Sequence, residues 1–166
     1  MTGNLVIRPV RLEEAPLLKE IGATTFRETF AAQNTEENLS AYLQKSFDLA
    51  NVKEQLVSSV SEFYFVEKGG EIYGYLKLNT SKKGLEIERI YVRQTAQGTG
   101  IGKAMFEFSL GLAKTRKSEW LWLGVWQENI KAVEFYKRQG MEIFDVRQFQ
   151  LGNELQDDFL MRMRVD

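Results

Sequence analysis

Seven consecutive residues, Gln97-Gly98-Thr99-Gly100-Ile101-Gly102-Lys103, carry the first chemistry legible in this 166-residue chain. Alternate glycines let a backbone turn sharply and bring its N–H groups close to a ligand. Where such a run opens a helix, unpaired N–H groups and the positive end of the helix dipole face one spot, which is a seat for an anion. The run is not a nucleoside triphosphate loop. Gln97 stands where Gly-x-x-x-x-Gly-Lys-Ser/Thr needs its first glycine, and Ala104 stands where it needs a hydroxyl. It is not a dinucleotide fingerprint either, because Lys103 occupies the place of the third glycine. Composition restricts the remaining chemistry. With 0 His and 0 Cys, a Ser-His-Asp triad, a His or thiolate metal site, a disulfide and a cysteine acyl-enzyme are all excluded. Acid–base work falls to carboxylates, Tyr, Lys or water, and no metal is expected.

A second set lies downstream. Asn129, Ala132 or Val133, and Tyr136 recur at helical spacing and share one face. A polar amide, a small residue and a phenol make an unusual core stripe but a plausible cleft wall.

Several elements must position these groups. Leu85 to Arg93 reads as a strand, with Leu85, Ile87, Arg89, Tyr91 and Arg93 on one face and Glu86, Glu88, Ile90 and Val92 on the other. Ile101, Met105, Phe108 and Leu112 continue from the glycine run at helical spacing and end near Arg116. Upstream, Leu5 to Val10 is a strand, and a long helical pattern runs from Leu12 to Phe30, fraying around Gly22. Asn34 or Thr35 caps a second helix, and Asp48 caps a third over Leu49 to Val60. Phe63–Glu67 and Ile72–Leu78 form a hairpin around Lys68-Gly69-Gly70, and Lys82-Lys83-Gly84 turns into the central strand. Downstream come a strand from Trp120 to Val125, a helix from Asn129 to Gln139 closed by Gly140, and a last hairpin of Met141–Gln150 with Asp157–Arg164. The chain thus predicts one domain over residues 1–166, an α/β (α+β) architecture without repeats or linkers.

The hydrophobic share is 43% and the charged share 27%, values of a globular chain with a sizeable core. No apolar run is long enough to span a membrane, and MTGNLVIRPV is too polar for a secretory signal, so a cytoplasmic protein is expected. Net charge is −1, and no basic face with spaced aromatics offers itself to nucleic acid. Residues 81–118 hold eight basic against three acidic residues, and residues 11–54 hold five basic against eight acidic. The first imbalance suits a phosphate-bearing cofactor and the second a cationic substrate.

The pattern Gln-x-x-Gly-x-Gly at Gln97–Gly102 resembles the pyrophosphate loop of the GCN5-related N-acetyltransferases (GNAT), which bind acetyl-coenzyme A. The Asn-x-x-Ala-x-x-x-Tyr run at Asn129–Tyr136, followed by Gly140, matches the same family, with Met141 where Phe is usual. The resemblance implies the GNAT fold: a mixed, mostly antiparallel twisted sheet of about seven strands flanked by helices, its central strands splayed in a V. It implies that main-chain groups of Ile90, Tyr91 and Val92 hold the pantetheine arm. Amides of Gln97, Gly98, Thr99, Gly100, Ile101, Gly102 and Lys103 would hold the pyrophosphate, Asn129 the pantetheine, and Tyr136 the sulfur. The runs Thr25–Phe30, Glu86–Val92, Trp122–Trp126 and Leu151–Asp158 are similar to bacterial spermidine/spermine acetyltransferases of the PaiA type, which implies a polyamine or another small cationic amine as acceptor.

Acetyl transfer to an amine requires loss of a proton from the ammonium, a donor for the developing oxyanion and a proton for the departing thiolate. The expectation is an N-acetyltransferase enzyme that transfers directly within a ternary complex. Glu88 is the expected proton acceptor, sharing the face of Ile90, and Tyr136 the expected acid. Glu28, Glu36, Glu37 and Asp48 are the acidic candidates for the acceptor. Alternatives are a peptide or protein N-acetyltransferase and a noncatalytic acetyl-coenzyme A sensor. A homodimer is a further expectation, with Trp120, Trp122, Phe144 or Phe149 marking its surface.

Overall fold

The computed structural model describes residues 4–82 and 84–166. Lys83, in the expected Lys82–Gly84 turn, and residues 1–3 lie outside the described residues. The chain order is β1 (Leu5–Pro9), α1 (Ala15–Phe30), α2 (Glu36–Ser46), α3 (Leu49–Leu56), β2 (Ser61–Lys68), β3 (Glu71–Thr80), β4 (Gly84–Val92), α4 (Ile101–Thr115), β5 (Trp120–Trp126), α5 (Ile130–Arg138), β6 (Glu142–Leu151) and β7 (Glu154–Arg164). The strands form one seven-stranded sheet in the order β1-β2-β3-β4-β5-β7-β6. Every neighbouring pair is antiparallel except β4 and β5, because α4 crosses between those two.

The helices cover both faces of the sheet. On one face α4 and α5 bring Ile101, Met105, Phe106, Val133 and Tyr136 against Leu76, Leu78, Leu85, Ile87, Leu121 and Leu123. On the other, α1–α3 bring Leu18, Ile21, Phe26, Leu39, Leu43 and Phe47 against Phe63, Phe65 and Tyr75. α1 does not fray at Gly22. The Phe47 ring, at the C-terminal end of α2, occupies the place of a side chain there, so the glycine admits that ring against α1 and the helix stays continuous. α3 stops at Leu56, four residues short of the expected end, as the chain rises into β2.

Two irregularities shape the centre of the sheet. β4 and β5 pair from Gly84–Trp120 to Ile87–Leu123, and beyond those residues they no longer pair with each other. Contact is tightest at Gly84, where any side chain would collide with the Trp120 carbonyl. The strands therefore start close and then part. The second irregularity is a β-bulge. Lys77 pairs with Arg89 and Leu78 with Ile87, which leaves Glu88 as the extra residue of β4.

Candidate functional site

The parting strands open a cleft of about 870 Å³. One wall is β4 from Glu86 to Val92. The other is β5 from Leu123 to Trp126 with Asn129, Ala132 and Tyr136 of the following helix, and Gln97 and Gly98 close one end. Two widely separated stretches of sequence thus meet in one place.

The glycine loop is built as its residue types require. Gly98 and Gly100 hold φ of +79° and +85°, values that L side chains resist. Gly100 occupies the N-cap position of α4. The backbone N–H groups of Gly98 to Lys103 make no hydrogen bond among the described residues. Positions where side chains of Gly98 and Gly100 would stand face open space. Gln97 Nε2 donates to the Val92 carbonyl at 3.2 Å and so anchors the loop to the end of β4. A row of free amides at a helix N-terminus, approachable on its open side, fits a pyrophosphate. The unpaired stretch of β4 likewise fits a segment that pairs as an added strand.

Asn129 caps α5, its Oδ1 accepting from the Ala132 N–H at 3.4 Å, while its amide nitrogen has no partner among the described residues. Gly140, at φ +105°, ends the helix. The Gly140 N–H meets the Lys137 carbonyl and the Met141 N–H meets the Tyr136 carbonyl, a Schellman closure. Tyr136 is buried between Phe106 and Phe135. Burial pushes its phenol well above the ordinary range, so the hydroxyl keeps its proton and can donate.

The carboxylates are arranged differently from the simple alternation of the strand. The bulge turns Glu88 away from the face of Ile90, which packs toward α4 and α5. Glu88 lies on the α1–α3 face instead. There it accepts from Lys77 Nζ at 2.9 Å and from Asn79 Nδ2 at 2.7 Å, with Arg89 Nε 3.5 Å away. Burial alone would raise its carboxyl; Arg89, Lys77 and the hydrogen bonds outweigh burial and hold it below the usual carboxylate range. Asn79 Nδ2 also donates to Glu86 Oε1 at 3.0 Å. For Glu86 burial dominates, and its carboxyl is raised. One amide thus bridges two carboxyl groups that titrate apart, one fixed as the anion and the other nearer the working range of a base.

The acidic acceptor candidates are not brought to the cleft. Glu28 accepts from the Gln94 N–H at 3.0 Å and ties α1 to the turn after β4. Glu36 pairs with Arg27 Nη1 at 2.6 Å, Glu37 is exposed on α2, and Asp48 occupies the N-cap position of α3. The charged groups that do line this part of the cleft are Glu86, Glu88, Arg89, Arg147 and Asp158, beside the aromatic rings of Phe26, Phe30, Tyr42, Phe47, Trp126 and Phe149. Glu86 could have been flagged from its place two residues before Glu88. Arg147 and Asp158 carry no local signal, because they arrive from the terminal hairpin. Lys131 and Arg138 of α5 also line the cleft.

Among the described residues no helix is long and apolar enough to cross a membrane, and no group of three His, Cys, Asp or Glu side chains could hold a metal ion. Comparison with known proteins gives a consistent picture. Residues 24–141 match the model of the Acetyltransferase (GNAT) family. The chain is 36% identical over 174 aligned positions, covering 98% of both chains, to an uncharacterized N-acetyltransferase of the pepI 3′ region of Lactobacillus delbrueckii subsp. lactis. It is 26% identical to an N-acetyltransferase of Mycobacterium bovis, over 90% of this chain and 97% of that one. In fold it is similar to the PaiA N-acetyltransferase of Thermoplasma acidophilum, solved with coenzyme A, at TM-score 0.83 and 19% identity over 97% of this chain and 99% of that one. A GCN5-related N-acetyltransferase of Rhodopseudomonas palustris aligns at TM-score 0.80 and 18% identity, over 99% of this chain and 98% of that one.

Proposed function

Because the chain belongs to the Acetyltransferase (GNAT) family and is thereby an acetyl-coenzyme A-dependent N-acetyltransferase, we propose that its central cleft moves an acetyl group directly onto a small primary amine. The observation that carries this reading is the end of β4–β5 pairing at Ile87 and Leu123. It leaves an unpaired strand edge between a loop of free amides and a buried phenol.

Acetyl-coenzyme A, when bound, would supply an acetyl thioester activated toward amines. The residues of this chain do the rest. Main-chain groups of Ile90, Tyr91 and Val92 offer the pairing edge, and the free amides of Gly98–Lys103 neutralise phosphate charge, while the Gln97 N–H is held by the Gln94 carbonyl. The amide nitrogen of Asn129 donates across the cleft. A β4 N–H near Ile90 stabilises the oxyanion. Tyr136, protonated at neutral pH, gives a proton to the leaving sulfur. The acceptor enters from the α1–α3 face and loses its proton to the Glu86–Glu88 pair. Glu88 was the first candidate, and its bonds to Lys77 and Asn79 keep it ionised and fixed. Glu86 has the raised carboxyl and is the better matched base. With no cysteine available, transfer needs no acyl-enzyme.

A polyamine, the acceptor class suggested by the PaiA likeness, is poorly supported by this cleft. The carboxylates on its acceptor face are Glu86, Glu88 and Asp158, and Lys77, Arg89 and Arg147 stand against them. A multiply charged cation finds no net negative charge there. The test is calorimetric titration with coenzyme A joined to thiol release over an amine panel. Binding with release for at least one primary amine is expected. Absence of coenzyme A binding would refute the reading.

A further inference from the structure

Arg147 belongs to edge strand β6, yet its side chain reaches across β7 to β5. Its Nη2 lies 2.5 Å from where a side chain on Gly124 would begin. A side chain at that point of β5 would displace the guanidinium from this place. The group is not consumed by the fold. Among the described residues it makes no hydrogen bond, and its ion-pair partner, Asp158 on β7, stands 3.9 Å away. The guanidinium, a planar fork of N–H donors, lines the cleft on the same sheet face as Glu86. Beside them an aromatic wall is formed by Phe30 and Trp126, 5.4 Å apart, and by Tyr42 and Phe149, 5.7 Å apart.

Resting on the acetyl-transfer reading above, we propose that the acceptor is an amino carboxylic acid with an aromatic or apolar side chain. Arg147 grips its carboxylate through a forked, charge-assisted pair. Glu86 faces its ammonium, and Phe30, Trp126 and Phe149 take its side chain. The arrangement matches the balanced charge of the cleft: a zwitterion brings one charge of each sign, where a polyamine brings several of one. In the transfer, the ammonium first gives a proton to Glu86. The amine nitrogen then forms the C–N bond as the C–S bond breaks, and the sulfur leaves as thiol with the Tyr136 proton. The second amine proton, through solvent, restores the phenol. An ammonium and a thioester yield an amide, a thiol and one released proton.

The test uses the whole chain and paired probes: phenylalanine, leucine and methionine, each beside its carboxamide, with 2-phenylethylamine and spermidine. Thiol release gives kcat/KM, and calorimetry in the presence of coenzyme A gives acceptor binding apart from turnover. At least one acid is expected to exceed its carboxamide by about tenfold or more in kcat/KM, the size of one well-made charged pair. Arg147→Met should bring that ratio below about twofold, chiefly through KM, and weaken binding of the acid in calorimetry. Arg147→Lys should restore part of the ratio. Equal or better turnover of the carboxamides or spermidine by the wild-type protein, or an undiminished ratio in Arg147→Met, overturns the inference. If coenzyme A binding is intact in that case, the acetyltransferase reading survives. If coenzyme A does not bind, both fall together.

Discussion

Lys77 Nζ donates to Glu88 Oε2 at 2.9 Å across the β3–β4 bulge. This pair makes Glu88 a fixed anion and leaves the variable protonation to Glu86. For Glu86 the sign is that of a raised carboxyl: it is a competent base only above its shifted pKa. The acid limb of kcat/KM should therefore lie above the ordinary carboxylate range. Glu86→Gln should lower kcat/KM by about 100-fold and remove that limb, and Glu88→Gln should retain it at reduced rate. A limb that vanishes only in Glu88→Gln would return the role to Glu88.

The buried phenol of Tyr136 yields a prediction that separates binding from chemistry. Tyr136→Phe should lower kcat by about 100-fold, in the range for loss of a positioned general acid, and leave the coenzyme A dissociation constant nearly unchanged. Because burial raises this pKa, the tyrosine stays protonated through mild alkali and should add no limb of its own near neutrality. Unaltered kcat would make Tyr136 a packing residue.

Gly100 tests the anion seat. At φ +85°, an alanine costs about 1–2 kcal/mol of backbone strain, although nothing occupies its Cβ position. Gly100→Ala should lower the melting temperature by a few degrees and weaken coenzyme A binding about tenfold. Loss of stability with unchanged affinity would remove the loop from the binding site.

Gly22 tests the packing that holds the acceptor wall. A methyl group there runs into the Phe47 ring, which also lies under Arg89 at 4.8 Å. Gly22→Ala should cost about 1–3 kcal/mol through overpacking, seen as a lower midpoint in urea, even though alanine favours helices. Pairing it with Phe47→Leu should recover part of the loss.

Far from the cleft, Arg8 holds Glu14 through two bonds of 2.8 Å, and the carboxyl is lowered to about 2, first by those Arg8 bonds, against burial. A depressed carboxyl stabilises the fold above its unfolded pKa, and that contribution is lost as pH falls through the folded one. Glu14→Gln should therefore be less stable than wild type at neutral pH, and the gap should close between about pH 4.5 and 2. A gap that persists at pH 2 would mean packing, not charge, is responsible.

The comparison of sequence with structure divides along the range of the interactions. The glycine run, the helix after it, the Asn129 cap and the Gly140 stop are local, and each appears within a residue or two of its expected place. The seven strands are also close to their expected bounds, since alternation and turn residues act over short stretches. The face of Glu88 departs from simple alternation because one bulged residue shifts every later side chain of a strand to the opposite face. Nothing in Leu85–Arg93 alone reveals the bulge, which exists only against β3.

By itself, then, the order of residues determined which chemistry was available: backbone amides for an anion, carboxylates and a phenol for protons, and neither imidazole nor thiol. These follow from residue type and from spacing along one element. Tertiary structure alone decided which carboxylates share the cleft, that Glu28, Glu36 and Asp48 do not, and that Arg147 reaches across β7 to lie over Gly124. Those relations join positions dozens of residues apart, and only the packing of helices on a twisted, bulged sheet fixes their distance and direction.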